Sequence, residues 1–164
     1  MAKKKSAKKS PKKSIRSVKR APKKKKKGAA RKPAAAPSLD SLARKIVRMT
    51  QNPKFAPADL SALYTEDCTS QEATGQIDLG LDGLEDKLKR WEQMQSGTTW
   101  KATNVWVGPK TVCIEWDATV KVRDGRIVNL REVAIHEIKD GKIQYERFYY
   151  NPMALAPPQR GGAA

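Results

Sequence analysis

Few of the residue types that carry common chemistries are present in this 164-residue chain, which has one histidine, His136, and two cysteines, Cys68 and Cys113. The cysteines form no CxxC pair and a single histidine cannot complete a zinc set, so two reduced intracellular thiols are expected and no metal or other cofactor. No apolar run approaches the roughly 20 residues of a membrane span or the roughly 7 to 15 of a signal-peptide core. The expectation is a soluble intracellular protein, cytoplasmic or nucleoid-associated in a bacterium and nuclear in a eukaryote, with no membrane partner.

Acidic residues are missing altogether from Met1 to Pro33, a stretch that holds half of the chain's 34 Lys and Arg: Lys3, Lys4, Lys5, Lys8, Lys9, Lys12, Lys13, Arg16, Lys19, Arg20, Lys23, Lys24, Lys25, Lys26, Lys27, Arg31 and Lys32. The other seventeen bases meet all seventeen acids, so the formal charge of +17 belongs to this segment and the remainder is neutral. Apart from Met1, Ile15, Val18 and scattered alanines the segment is also without apolar residues. It cannot bury enough surface to offset the roughly 1 to 2 kcal/mol per residue of ordering entropy, so residues 1–37 are expected to be a disordered polycationic tail and Ala/Pro linker.

Ser10-Pro11-Lys12-Lys13 matches the SPKK element, and the surrounding Lys/Ala/Pro/Ser mixture looks like a linker-histone tail. That likeness implies non-specific binding of duplex DNA. Counterion release gives the physical case: about −0.9 in log K against log salt for each neutralised phosphate. Lysine point charges outnumber the bidentate arginines that read bases, and without an interleaved aromatic residue there is nothing for single-stranded bases to stack on. Two other roles use the same charge, a nuclear address or solubility tag in Lys19 to Lys27 and an anionic membrane surface. The second lacks the additional anchor that stable membrane binding needs.

The neutral body reads as one domain over residues 38–155, followed by a flexible C-terminal tail over 156–164. Ser38 is placed to cap a first helix whose Leu39, Leu42, Ile46 and Met49 share a stripe, ended by Asn52-Pro53. Pro57 begins a short second helix buried through Leu60, Leu63 and Tyr64. An extended stretch follows, and then a third helix over about 81–95 with Leu81, Leu84, Leu88 and Trp91 on one face. Beyond Thr98 the period changes to two. Strands near 100–107, 111–122, 127–138 and 143–150 are joined at Asp124-Gly125 and Asp140-Gly141, each a hairpin signal. Three helices before a meander predict an α+β fold, the helices packed on an antiparallel sheet of four to six strands.

Ala62-Leu63-Tyr64-Thr65-Glu66-Asp67, Gly83-Leu84 before the third helix, Trp116 in the strand, Asp140-Gly141-Lys142-Ile143 and above all Glu146-Arg147-Phe148-Tyr149-Tyr150-Asn151-Pro152 form a recognisable set. Through them residues 39–155 resemble the SnoaL-like branch of the nuclear transport factor 2-like superfamily. The resemblance implies a curved sheet wrapped on a long helix around a conical pocket.

If both Asp-Gly loops are two-residue turns, His136 lies opposite Cys113 and Tyr145, Ala134 opposite Glu115 and Arg147, and Glu132 opposite Asp117 and Tyr149. One face then gathers Cys113, Glu115, Asp117, Glu132, His136, Tyr145, Arg147 and Tyr149, with Arg147 the neutraliser of the Asp117/Glu132 pair. The other face carries Ile114, Trp116, Val133, Ile135 and Phe148. His136 and Glu132 stand about 13 Å apart along their strand, so any dyad must be cross-strand.

Two readings follow. In the first, a non-catalytic or small-ligand-binding domain, dimeric through its sheet, is tethered to DNA by the tail. The polar face is then a solvent-facing or dimer-facing surface. In the second, which the resemblance to polyketide cyclases and ketosteroid isomerases implies, His136, Asp117 and Glu132 move protons in an isomerase, cyclase or hydratase acting on a small hydrophobic substrate. The acid that often ends the last strand in such relatives is Asn151 here, and an amide transfers no proton. Which reading holds turns on whether these side chains converge inside an apolar cavity.

Overall fold

The computed structural model describes residues 38–157, and the expectations for the basic tail and for most of the C-terminal tail lie outside them. Helix α1 spans Leu39–Thr50, capped by the Ser38 hydroxyl, which accepts from Ser41 N at 3.3 Å. The second predicted helix is a single 3₁₀ stretch, Pro57–Ala62, in which Asp59 takes up the Ala56 amide at 3.0 Å. Strands β1 (Tyr64–Gln71) and β2 (Ile77–Leu79) come next, then helix α2 (Gly80–Met94), so Gly83-Leu84 falls inside that helix. Strands β3 (Gln95–Val107), β4 (Thr111–Val122), β5 (Ile127–Lys139) and β6 (Lys142–Tyr150) follow, and a 3₁₀ turn at Pro152–Ala154 closes the order. Among the described residues no helix is long and apolar enough to cross a membrane.

The six strands form one sheet in the order β2-β1-β6-β5-β4-β3. It is mixed, where an antiparallel sheet was expected, because β1 enters beside β6 in parallel. Alternation decides the two faces. On β4 the even-numbered residues Val112, Ile114, Trp116, Ala118 and Val120 are buried and form the core with Leu42, Ala43 and Ile46 of α1 and with Leu130 and Ala134 of β5.

Both hairpins depart from the expected register by one residue, for different reasons. At Asp124-Gly125 the loop has three residues: Val122 N donates to Arg126 O at 2.9 Å, Gly125 N donates to Val122 O at 3.0 Å, and Gly125 carries φ +94°. This is the turn-plus-left-handed-glycine solution, and it puts Arg123 into the loop. His136 therefore partners Val112, not Cys113, and Glu132 partners Trp116, not Asp117.

At Asp140-Gly141 the two-residue turn forms as expected, with φ +52° and +77° and Ile138 opposite Ile143. A bulge then intervenes between Glu137 and Ile138, where Ile138 N donates to Lys110 O at 2.8 Å. Beyond it His136 partners Glu146, Ala134 partners Phe148 and Glu132 partners Tyr150. Because side chains alternate with period two, each one-residue slip exchanges the faces.

Candidate functional site

The helix-facing side of the sheet, with α1, α2 and the 3₁₀ segments, encloses a cavity of about 960 Å³. The register dictates its floor. The row Trp116, Glu132, Tyr150 crosses β4, β5 and β6; the row Ile114, Ala134, Phe148 lies beside it, and Val112, His136, Glu146 beyond that. Trp91 of α2 and Trp100 of β3 continue the aromatic lining, with ring centroids 6.0 Å apart for Trp91–Trp100 and 5.9 Å for Trp100–Trp116, the latter pair nearly perpendicular.

At the far end of the floor, Glu146 is held at 1% exposure by four groups. Tyr64 Oη donates to its Oε2 at 2.9 Å and Ser70 Oγ to its Oε1 at 2.8 Å. Lys87 Nζ stands 3.6 Å from Oε1, and His136 Nδ1 lies 3.3 Å from Oε2 but off the line of a hydrogen bond. Lys87 comes from α2. Its ammonium donates to Ser70 Oγ at 2.8 Å, pairs with Glu72 Oε1 at 2.6 Å and rests 3.8 Å above the Phe148 ring. Glu72 in turn accepts from Tyr150 Oη at 2.8 Å. Ser70 thus accepts from the cation and donates to the carboxylate, using both capacities of one hydroxyl.

The two buried glutamates of the floor have opposite protonation. Burial by itself would raise Glu146, but Lys87, His136 and Ser70 outweigh it and hold the carboxyl down at about 2. Glu132 is pushed up to about 8, by burial first and then by Glu72 and Glu146, with Lys87 the one opposing charge. Glu132 is 8% exposed and has no hydrogen-bond partner among the described residues. It stands between Trp116 and Tyr150, so at neutral pH it is an undissociated acid facing an aromatic chamber. Burial and Glu146 raise Tyr64, and burial and Glu72 raise Tyr150, so both phenols keep their protons. Neither ring nitrogen of His136 has a hydrogen-bond partner among the described residues, which leaves Nε2 as buried, unused capacity on the wall.

Of the residues singled out from the sequence, Glu132 and His136 reach the cavity. Cys113, Glu115, Asp117, Tyr145, Arg147 and Tyr149 stand on the other face of the sheet, because the extra loop residue and the bulge shift them there. Asp117 lies 3.4 Å from Arg131, and Glu115 accepts from Asn104 at 2.6 Å. Arg147 pairs with Glu137 at 2.8 Å, so it neutralises neither Asp117 nor Glu132. Tyr145 Oη donates to Gln71, and Tyr149 is half-exposed. Asn151 serves structure: its Oδ1 accepts from Met153 N at 3.1 Å and starts the last 3₁₀ turn.

Sequence reasoning missed Tyr64, Ser70, Glu72, Lys87, Glu146 and Tyr150 as site residues. One signal was available for Lys87, which lies three positions after Leu84 and four before Trp91 and so interrupts the apolar stripe of its helix. For Glu146 there was none, because the bulge decides which face it occupies.

Known proteins share this fold. The profile of the SnoaL-like domain family matches residues 50–146, and no curated protein sequence matches. Among solved structures, one from Catenulispora acidiphila with a ketosteroid isomerase-like fold, in complex with trimethylamine, has a TM-score of 0.63 at 14% identity, covering 72% of this chain and 91% of its own. A structure from Jannaschia, named as a SnoaL-like polyketide cyclase, has a TM-score of 0.63 at 15% identity, covering 80% and 100%. Another so named, from Mesorhizobium loti, has a TM-score of 0.58 at 21% identity, covering 69% and 99%. At these identities the likeness shows a common fold and leaves the chemistry to the site.

Proposed function

The chain belongs to the SnoaL-like domain family, and on that premise we propose that its cavity binds a small, largely apolar organic molecule against Glu132, whose protonation is coupled to that binding. The observation that carries this reading is a carboxyl that is buried, without a polar partner, and aimed into a 960 Å³ chamber lined by Trp91, Trp100 and Trp116. Burying such a group costs several kcal/mol as an ion and less as a neutral acid, so a purely structural wall would place an apolar side chain there.

The test is direct. Infrared difference spectra of the full-length protein should show an undissociated carboxylic acid band at neutral pH that is missing from Glu132→Gln, and the neutral fluorophore N-phenyl-1-naphthylamine should bind in the chamber. Absence of both signals overturns the reading.

A proton-transfer enzyme of isomerase, cyclase or hydratase type is the second reading, favoured by the unpartnered Nε2 of His136. It supplies an acceptor about 13 Å along the strand from the Glu132 donor. His136→Gln would then abolish turnover of a substrate that still binds.

The remaining proposals concern partners. Residues 1–33 tether the domain to duplex nucleic acid without sequence preference, supported by the placement of the whole net charge there. A second copy packs on the far face of the sheet, supported by exposed Trp106 and Tyr149 beside half-buried Val133 and Ile135. Sedimentation at graded concentrations checks the second, since a monomer throughout removes it.

A further inference from the structure

We propose that the occupant of the cavity is a small organic ammonium ion, tertiary or quaternary with apolar substituents, held between Glu132 and the tryptophan lining. This rests on the reading of the cavity as a ligand site and adds the class of ligand. Two independent observations carry it: the state of the charges on the wall, and the geometry of the aromatic rings.

Three cations line the cavity, and each is already engaged. Lys87 is bound by Ser70, Glu72 and Glu146 at 2.8, 2.6 and 3.6 Å. Arg90 holds both oxygens of Asp78 at 2.7 and 2.9 Å, and Arg123 holds the Glu92 carbonyl at 3.0 and 3.2 Å. Lys87 and Arg90 are thereby neutralised by carboxylates, and Arg123, which is exposed, is turned to a main-chain carbonyl. On the acidic side, Glu72 and Glu146 share Lys87, and Glu132 is the buried carboxyl of the lining without an ion-pair partner among the described residues. The groups facing it are Trp116 from β4, Tyr150 and Glu146 from β6, Tyr64 from β1 and Glu72 just after it, Lys87 from α2 and His136 on its own strand. Ionised, Glu132 makes three carboxylates in this set against the one ammonium of Lys87, a net negative charge. A neutral ligand leaves that charge uncompensated, and an anion aggravates it.

The rings supply the other half of the site. Trp116 flanks Glu132 in register, Trp100 meets Trp116 at 76° with centroids 5.9 Å apart, and Trp91 extends the wall. Trp116 itself is 2% exposed, so the indole surface open to a ligand is that of the part-buried Trp91 and Trp100, and such surface near a carboxylate attracts quaternary ammonium groups through the ring quadrupole and the ion pair. A Tyr150 hydroxyl already committed to Glu72 adds no competing donor.

A proton balance follows. The empty site keeps Glu132 as the neutral acid at pH 7. On binding, carboxylic acid plus ammonium gives the carboxylate–ammonium pair and one proton, which leaves to solvent, and no bond of the ligand changes. Affinity should therefore rise with pH, by up to about tenfold per unit, and level off once the acid is ionised before binding.

The experiment is calorimetric titration of the full-length protein with choline and with 3,3-dimethylbutan-1-ol, the same shape with carbon in place of charged nitrogen. It is run from about pH 6 to about pH 9 in two buffers of different ionisation enthalpy. Choline should bind at least about tenfold more tightly than the alcohol, with proton release near neutral pH. Glu132→Gln should remove the pH dependence and the preference. Trp100→Leu or, if that variant misfolds, Trp91→Leu should weaken choline more than the alcohol.

Equal affinity for the two probes overturns the ammonium assignment, as does choline binding that ignores Glu132→Gln. Failure of choline to bind while N-phenyl-1-naphthylamine still enters the chamber overturns this assignment and leaves the ligand-site reading standing. Failure of all three probes removes both.

Discussion

Glu132 and Trp116 are register partners on neighbouring strands, so the carboxyl stands against an indole where a strand one residue out of step would have brought Asp117. The same register sets His136 against Glu146 two pleat repeats away. One acid of the floor is thereby surrounded by donors and the other by carbon and like charge.

The two acids should leave opposite marks on stability. Glu132, raised from 4.5 to about 8, is protonated in the folded chain where the unfolded chain has released the proton, so its contribution is complete below about pH 4.5 and is lost as pH rises to about 8. Glu146, lowered to about 2, contributes fully above about pH 4.5 and loses that contribution as pH falls through about 2. At roughly 1.4 kcal/mol per unit each limb amounts to several kcal/mol. In urea denaturation Glu132→Gln should match the wild type at about pH 4 and exceed it at about pH 9; equal pH profiles would show that Glu132 titrates normally.

Lys87→Met should destabilise the domain by roughly 3 kcal/mol, because it strips the cation from two inward-facing carboxylates, Glu72 and Glu146. The acid limb should move to higher pH with it. Lys89→Met, on the exposed side of the same helix and paired with Glu85 and Asp86, should leave the urea midpoint essentially unchanged.

Gly125→Ala tests the turn that sets the β4–β5 register. An added Cβ meets nothing within 4 Å, so the cost is that of φ +94° alone, about 1 to 2 kcal/mol by thermal or urea denaturation. A larger loss would mean that the loop has changed length.

Removal of residues 1–33 should abolish duplex binding at low salt and leave the domain's circular dichroism intact. The full chain should lose about three decades of affinity between about 50 and 200 mM salt if about six phosphates are contacted at once. Retention of duplex affinity by residues 38–164 would place the contacts on the domain instead.

The sequence alone determined the partition of charge, the end of α1 at Asn52-Pro53, the stripe of α2, the meander of β3 to β6 and the two-residue turn at Asp140-Gly141. All of these rest on spacings of a few residues, over which propensity, capping and the two periods of 3.6 and 2 act. It also placed Glu132 and His136 on one face, since an even spacing along a strand survives any change of register. Which partners they meet was a tertiary decision. One loop residue at Arg123 and one bulge at Glu137/Ile138 exchanged Cys113, Asp117, Tyr145 and Tyr149 for Val112, Trp116, Glu146 and Tyr150. A side-chain period of two turns a one-residue slip into a change of face, and the slips appear only when the strands pair across the loop and the bulge.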